Sequence, residues 1–419
     1  MVVTLPPQDT LDEISVDAPA TTTTPGAAPG DSTTTTPPQQ TPEPLITQRF
    51  GSKEVITLQV NGQLFTNWTS VRVEQKVTSW FPTFSFECSE DVPIPLSVNG
   101  SQFVPGDIVR VYVGGVPAVY GYITERHVGY DAKQHGIRLI GVGRTADLTN
   151  SCVPLSKLNG HDGQTWTQLA NDITAHLGIQ VSEVGAVDSK PFEKIAIQPG
   201  DTIQSVLERY ARGRNIVIGS DPYGALLAIG ENQNVSTGDL IEGVNILRAN
   251  CALRDDKIFK KIFVVGQGQG SDDANGDAQN KQVATRDGTS SRERHMVVPY
   301  DLSEKDTHGV DRRAQMEKLF TEGSYIEAQI TVQGFFKDSN QSDSLWRAGE
   351  YYNVNAPMLI LLNTLLGCSD VAFEQSDAGS TTTLTMMLPI YMNGLFNFRG
   401  GEQFVQNAGA GAVTPAVQE

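Results

Sequence analysis

The sequence predicts a β-rich α+β protein of several domains, in which two antiparallel β domains flank a small α+β module. Two observations predict this class. From Val55 to Val128, short runs of alternating apolar and polar residues are separated by turn sequences every 8 to 15 residues, with no helical period between them. From Trp166 the apolar residues follow the period of helices, and alternation returns after residue 241.

The length of 419 residues suits about two to four domains, and changes in composition and period give their boundaries. The predicted domains are an extended Thr/Pro-rich arm (1–46), a first β domain (47–150), an α+β module (151–240), a second β domain with one helix (241–395) and a C-terminal tail (396–419). The arm has too few apolar residues to offset the entropy lost on ordering. We therefore expect it either to lie along neighbouring subunits or to be an unconstrained tail.

The charge and hydropathy of the chain argue against several functions. Its formal net charge is -17, and an acidic surface repels the phosphates that a nucleic-acid-binding protein must neutralise. The sequence contains no apolar run of about 18 residues and no basic, apolar signal at its N-terminus. These features predict a protein without a membrane segment that is made in the cytoplasm.

The four cysteines follow no metal-binding spacing. They are Cys88, Cys152, Cys251 and Cys368. Because a cytosol-like compartment keeps thiols reduced, we expect four reduced, buried thiols, with no zinc site among them.

The first β domain begins with a predicted hairpin. Residues 55–60 alternate, and Asn61-Gly62 favours a type I′ turn because both turn positions require a positive φ. A second strand is predicted from Phe65 to Lys76, and further short strands follow up to Val128. Such a series indicates an antiparallel barrel or a sandwich.

A strand, a turn and a short helix are predicted to close this domain. Gly141 and Gly143 allow the backbone to bend or to approach a neighbour closely, and Asp147 can accept backbone N–H groups where a helical turn begins. Together with Ala146, the two glycines also match the dinucleotide-binding fingerprint. That site needs a full crossover helix, whereas Pro154 ends any helix here after about two turns. We therefore favour a structural role for this segment.

Two amphipathic helices are predicted in the α+β module. The first places its apolar residues on one face and ends at a glycine: Trp166, Leu169, Ala170, Ile173, Leu177 and Gly178. The second runs from Ile203 to Gly213, with Asp201 as its N-cap and Gln204 at the capping-box position. A hairpin over residues 215–229 follows.

The opening of the second helix, Pro199-Gly-Asp-Thr-Ile, looks like that of a LysM peptidoglycan-binding repeat. Physically, the pattern requires only a capped helix with one apolar face. Two interpretations therefore stay open: a helix that packs within the module, or a glycan-binding face around Tyr210.

The second β domain is predicted to combine strands with one helix, Asp311–Gly323. Its strands are predicted at residues 246–247, 260–265, 325–333, 352–354, 358–362 and 381–388. The Gly-rich loop 266–277 could be taken for a calcium loop. Counted from Asp273, however, the positions that an EF-hand assigns to Gly and Glu hold Ala278 and Ala284. We therefore predict a solvated loop.

No catalytic or ligand-binding constellation is apparent in the sequence. The histidines follow no metal-binding spacing: His127, His135, His161, His176, His295 and His308. Carboxylate pairs such as Asp255-Asp256 and Asp272-Asp273 lie in charged segments, whereas a general acid needs apolar surroundings to raise its pKa. We therefore predict no catalytic residue, no cofactor-binding residue, no metal ligand, and a protein that is not an enzyme.

Several short motifs occur in a specific order. They are Gly121-Tyr-Ile, Gly141-Val-Gly-Arg-Thr-Ala-Asp-Leu, Pro191-Phe, Pro199-Gly-Asp-Thr, Glu242-Gly-Val-Asn-Ile-Leu, Ser344-Leu-Trp-Arg-Ala-Gly-Glu, Met358-Leu-Ile and the run from Leu384 to Pro389. In this order and spacing, over residues 50–392, the chain resembles the baseplate hub proteins of Mu-like contractile-tailed phages, which are related in fold to the T4-like hub. The arm and the residues after Asn393 lie outside the resemblance.

The resemblance implies a homotrimeric ring that adapts the sixfold tail tube to the threefold central spike. Each subunit would contribute two tube-like antiparallel β-barrels, 47–150 and 241–395. The implied partners are the spike, the tail tube protein or a tube initiator, with tape measure and baseplate wedge proteins as further candidates. The implied location is the tail baseplate of a virion, assembled in the host cytoplasm.

The resemblance also offers a reason for the acidity. DNA would pass through the channel of the ring without specific binding, and a trimer would carry 3 × -17 = -51 formal charges. An acidic channel wall would let the genome slide through. The alternative function is a tail-associated protein that binds peptidoglycan, as LysM repeats do, or degrades the cell wall.

Overall fold

The computed structural model describes residues 55–66, 68–77, 79–90, 103–130, 135–267, 281–302, 304–338 and 344–392. These residues all belong to one unit, Arg49–Glu419. The predicted N-terminal arm (1–46), the predicted C-terminal tail (396–419) and most of the Gly-rich loop 266–277 lie outside the described residues.

Nineteen β-strands and four α-helices are present in this part of the chain. The first seven strands are β1 (Ile56–Val60), β2 (Gln63–Phe65), β3 (Ser70–Lys76), β4 (Thr83–Glu90), β5 (Ile108–Val113), β6 (Val116–Tyr130) and β7 (His135–Gly143). Next come α1 (Asp147–Asn150), α2 (Trp166–Thr174), β8 (Val181–Val184), α3 (Ile203–Arg212), β9 (Val217–Ser220) and β10 (Leu226–Ile229). The remaining elements are β11 (Ser236–Ile241), β12 (Ile246–Leu253), β13 (Lys261–Gln267), β14 (Lys281–Asp287), β15 (His295–Pro299), α4 (His308–Gly323), β16 (Ile326–Gln333), β17 (Tyr351–Ala356), β18 (Leu361–Ser376) and β19 (Gly379–Met387).

The predicted first hairpin is confirmed. Asn61 and Gly62 have φ values of 49° and 84°, as a type I′ turn requires, and they join β1 to β2. The single strand predicted from Phe65 to Lys76 is wrong, because the chain turns at Trp68, whose indole N–H donates to the Phe65 carbonyl at 3.2 Å. After that turn, β3 pairs with β4 and β18 instead of β1.

The glycines of β7 lie where neighbouring groups approach closely, as predicted. A Cβ atom at Gly141 would overlap the ring of Phe84, and one at Gly143 would overlap the ring of Pro82. β7 pairs antiparallel with β4 and β6, and only the four-residue helix α1 follows. The fingerprint-like sequence therefore lacks the parallel strand and crossover helix of a dinucleotide site.

The predicted capping role of Asp147 is wrong. The N-cap of α1 is Ala146, which has helical φ and ψ angles, and no side chain caps this helix. The Asp147 carboxylate instead accepts a hydrogen bond from the Tyr122 hydroxyl, and burial raises the pKa of Asp147 above its usual range.

The two amphipathic helices of the α+β module are confirmed. The apolar faces of α2 and α3 are buried, and Gly178 takes the left-handed conformation expected after the first helix. The N-cap predicted for α3 is wrong by one residue. Thr202 accepts the Ser205 N–H at 3.1 Å, because the Asp201 carboxylate is engaged by the Gln198 N–H and the Arg209 guanidinium.

Gln204 does not complete a capping box either, since its side chain donates to Glu208 at 2.9 Å. The predicted hairpin that follows α3 is confirmed as β9 and β10, which pair antiparallel. β8 adds to β10 in parallel and completes a three-stranded sheet.

A second small sheet packs against this module. It has the order β14-β13-β15 and carries α4, the helix predicted in the second β domain. Its side chains share one hydrophobic cluster with α2 and α3, which includes Val264, Ala284, Val298 and Val310 together with Trp166.

The other thirteen strands form one continuous sheet. Its order is β12-β16-β19-β18-β3-β4-β7-β6-β5-β1-β2, and β17 and β11 join at β18. Apolar residues from both β domains, for example Phe86 and Phe373, lie in a single core. The predicted β-rich α+β class is confirmed. Within the described residues, however, neither β domain closes into a separate barrel, because β3 of the first pairs with β18 of the second.

The strand predicted at residues 358–362 is only partly correct. Pro357–Leu359 form a 3-10 turn, Ile360 is left-handed with a φ of 62°, and β18 begins at Leu361.

Candidate functional site: a repeated sheet with two open edges

The same order of five strands occurs twice in the large sheet. In the first β half, defined as β3 to β7, the order is β3-β4-β7-β6-β5. In the second β half, defined as β12 and β16 to β19, it is β12-β16-β19-β18-β17. Every neighbouring pair within each half is antiparallel. The two halves of the chain therefore share one topology.

The two long strands carry the same irregularity at corresponding positions. A β-bulge places Thr124 of β6 and Ser369 of β18 outside the regular register. The Thr124 hydroxyl donates to the Ile140 carbonyl at 3.2 Å, and the Ser369 hydroxyl donates to the Thr385 carbonyl at 3.2 Å. A carboxylate residue follows each hydroxyl in the sequence. This shared detail fixes the alignment of the halves residue by residue.

The halves are joined by a junction, defined as the pairing of β3 with residues 370–376 of β18. The pairing is antiparallel, and it places Val73 directly opposite Phe373 in the buried core. On the other face of the sheet, Arg72 forms an ion pair with Glu374. The junction therefore combines backbone pairing, an apolar contact and a charge pair.

A second charge pair lies at the end of the junction. Lys76 contacts Glu74 at 3.1 Å and Asp370 at 4.0 Å. Burial raises the pKa of Asp370, while the Ser369 hydroxyl and Lys76 act in the opposite direction. Lys76 thus helps to keep this partly buried carboxylate charged.

Two strand edges that correspond to the junction lack a partner among the described residues. One is the β6 edge, defined as residues 124–130, which pairs only with β7 because β5 pairs no further than Tyr122. The other is the β12 edge, defined as the outer side of residues 247–253, which pair only with β16. Each edge presents backbone N–H and C=O groups that can pair with another strand.

Apolar side chains are exposed on both edges. Val128 on the β6 edge is 46% exposed, and Leu247 and Leu253 on the β12 edge are 58% and 40% exposed. Charged residues accompany them: Glu125 contacts His127 at 2.9 Å, and Arg254 contacts Glu327 at 2.6 Å. Each edge thus combines exposed backbone polar groups with exposed apolar and charged side chains.

A buried ion pair holds the α+β module to the β14-β13-β15 sheet. Arg214 is fully buried, and its guanidinium lies 2.9 Å from the Glu304 carboxylate. It also donates to the carbonyls of Lys190 and Pro191 and stacks on Phe192 at 3.9 Å. The sequence offered no signal for this pair, because its residues are ninety positions apart.

Four of the described histidine side chains contact a carboxylate or the backbone: His127, His161, His295 and His308. His161 is buried, with Nε2 at 2.7 Å from the Lys157 carbonyl, and His308 lies 2.7 Å from Asp188. Within the described ranges, no three histidine, cysteine or acidic side chains are grouped so that they could hold a metal ion. The same residues include no helix long and apolar enough to cross a membrane.

No disulfide joins the four cysteines, as predicted. The predicted burial is correct only for Cys368. Cys152 is exposed, and Cys88 and Cys251 are half-buried. The sequence could not separate these cases, since alternation places a residue on one face of a strand but does not tell whether that face is covered.

The LysM-like segment does not present its helix face to solvent. Tyr210 is 1% exposed, and its hydroxyl accepts the Ala196 N–H at 2.7 Å. Ile203, Val206 and Leu207 are fully buried in the same cluster. The face predicted for glycan binding is therefore occupied by the packing of the module.

Known proteins share this fold. The 43 kDa tail protein of prophage MuSo2 from Shewanella oneidensis matches with a TM-score of 0.68 and 22% identity, over 81% of this chain and 99% of that chain. A tail protein from Neisseria meningitidis MC58 matches with a TM-score of 0.67 and 17% identity, over 81% and 98% of the two chains. The fold is therefore one found in phage tail proteins.

Sequence comparisons define the class more closely. Residues 55–144 match the family described as Mu phage baseplate assembly protein GpP-like, N-terminal, and residues 145–230 match baseplate hub protein gp44-like, second domain. The chain is 25% identical over 343 residues to the baseplate hub protein gp44 of Escherichia phage Mu, which covers 80% of this chain and 87% of that protein. The predicted resemblance to baseplate hub proteins of Mu-like phages is confirmed.

Proposed function

We propose that this protein is a structural, non-enzymatic hub of a phage tail baseplate, located in the virion. It assembles as a homotrimer that adapts the sixfold tail tube to the threefold central spike. The observation that carries the proposal is the repeated strand order, which gives one chain two equivalent β halves. Three such chains offer six equivalent units, the number that a sixfold tube requires.

The proposed partners follow from this position in the tail. One side of the ring contacts the tail tube protein or a tube initiator, and the other contacts the central spike. Tape measure and baseplate wedge proteins are further neighbours. The Mu relative, described as a baseplate hub protein, supports this assignment.

The genome would pass through the centre of the ring without specific binding. With 3 × -17 = -51 formal charges, the trimer would repel the DNA backbone from its wall. Such repulsion requires a channel surface of net negative charge. A net positive wall in a structure of the assembled ring would reject it.

Light scattering after gel filtration tests the trimer. The full chain has a mass of 45.3 kDa, and we expect a species of three times that mass, either alone or once the spike is added. A stable dimer, or a monomer that stays monomeric with the spike, would overturn the proposal.

A further inference from the structure

The alignment of the two halves identifies which residues correspond across the repeat. Gly141 pairs with Ile123 just before the bulge of β6, and Met386 pairs with Cys368 just before the bulge of β18. Counting from these bulges, Glu125 corresponds to Asp370, and three residues later Val128 corresponds to Phe373.

The same counting relates β12 to β3. Phe84 of β4 pairs with Gly141, and Ala328 of β16 pairs with Met386, so Phe84 corresponds to Ala328. Val73 pairs with Phe84, and Cys251 pairs with Ala328. Cys251 of β12 therefore corresponds to Val73 of β3.

Transferring the register of the junction to the open edges gives a definite set of opposed residues. In the junction, Phe373 lies opposite Val73 and Asp370 lies opposite Lys76. The corresponding pairs are Val128 with Cys251 and Glu125 with Arg254. Both pairs fit one antiparallel register, because the three-residue step back from Val128 to Glu125 matches the three-residue step forward from Cys251 to Arg254.

We propose that β12 of one copy of this chain pairs antiparallel with residues 124–130 of β6 in the next copy, with Val128 opposite Cys251 and Glu125 opposite Arg254. The inference rests on the trimeric ring proposed above and adds its interface. Because the two edges differ, the contact is head-to-tail. In a closed ring, every β12 edge is paired with the β6 edge of a neighbouring copy.

The chemistry of the two edges is complementary in this register. Glu125 and Arg254 repeat the acid and base of Asp370 and Lys76. Cys251 already packs against the edge of the hydrophobic core, and the exposed side chain of Val128 would extend that core across the interface. Leu253 lies opposite Arg126, whose aliphatic stem can cover it.

Disulfide trapping tests the register directly. Val128→Cys, made in a Cys152→Ser background because Cys152 is exposed, places a thiol opposite Cys251 of the next copy. Opposed residues on neighbouring strands lie within the range of a disulfide. On oxidation of the assembled protein we expect covalent oligomers that end at the trimer on a denaturing gel.

Two variants serve as matched controls. His127→Cys places the thiol one residue away on the other face of the strand, and Val128→Cys with Cys251→Ser removes the partner. We expect each control to cross-link at least about tenfold less than Val128→Cys with native Cys251, because a disulfide tolerates little change in geometry.

These experiments distinguish an error in the proposed interface from an error in the proposed trimer. Trimers by light scattering that show no cross-link between positions 128 and 251, or equal cross-linking in the His127→Cys control, would overturn the interface and leave the trimeric hub standing. Absence of a trimer, alone and with the spike, would overturn both.

Discussion

Arg214 and Glu304 form an ion pair that solvent does not reach. Their charged atoms are 2.9 Å apart, and their side chains are 0% and 5% exposed. Tyr300 also donates to the Glu304 carboxylate, at 3.2 Å. The pair lies between the α+β module and the small sheet that packs against it. Its loss should therefore destabilise the hydrophobic cluster that these two parts share.

We expect Glu304→Ala to lower the free energy of unfolding by about 3–5 kcal/mol, because it leaves the Arg214 charge buried without its partner. Urea unfolding followed by circular dichroism measures this loss. Lys305→Gln is the control: it removes an exposed contact with Glu193 at 3.8 Å and should cost less than about 1 kcal/mol. Equal losses in the two variants would show that burial of the pair is unimportant.

Gly141 lies in β7 where a side chain has no room. A Cβ there would overlap the Phe84 ring and the Tyr122 carbonyl, so we expect Gly141→Ala to cost about 1–3 kcal/mol in unfolding free energy. Gly136→Ala is a control in the same strand, since its Cβ would meet only the Cys88 carbonyl at 4.0 Å. If both variants unfolded at the same urea concentration, the steric explanation would be wrong.

Glu322 should make stability depend on pH. It is buried near the end of α4, burial raises the pKa of its carboxyl, and its Oε1 has no hydrogen-bond partner within the described residues. The folded state therefore binds this proton more tightly than the unfolded state. The stability gained from the protonated Glu322 carboxyl is fully present below the pKa of the unfolded state. It is lost as pH rises through the higher pKa of the folded state.

Replacing the Glu322 carboxyl by an amide, which does not ionise, removes the loss of stability at higher pH. We expect Glu322→Gln to melt at a higher temperature than the parent at neutral pH, and the difference to disappear in acid. Thermal unfolding across a pH series measures both. A difference of the same size at every pH would contradict the raised pKa as its cause.

Local patterns in the sequence were sufficient for the helices and for many strands. The faces of α2 and α3 follow from their apolar spacing, and the first hairpin follows from Asn61-Gly62. Capping was harder to predict, because Asp201 and Thr202 can both cap a helix. Which of the two residues caps α3 depends on what else binds them. The Arg209 guanidinium binds the Asp201 carboxylate, and because Arg209 lies eight residues further along the chain, the sequence around the cap does not reveal this contact.

The features that define the candidate site depend on contacts between distant residues. The junction joins β3 to β18 across about three hundred positions, and no local period encodes such a pairing. The repeat leaves only a short trace in the sequence, Thr124-Glu125 and Ser369-Asp370. Two residues are too few to reveal a duplication until the bulges and their hydrogen bonds are known.

In the proposed assembly, the two β halves of each chain stand side by side in a ring of three chains. Electron cryomicroscopy of the purified protein, alone and mixed with its spike, tests it most directly. We predict a threefold annulus with six similar β units around an open channel. Particles in which the two halves of a chain stack along the axis, or in which no annulus forms under either condition, would contradict the account.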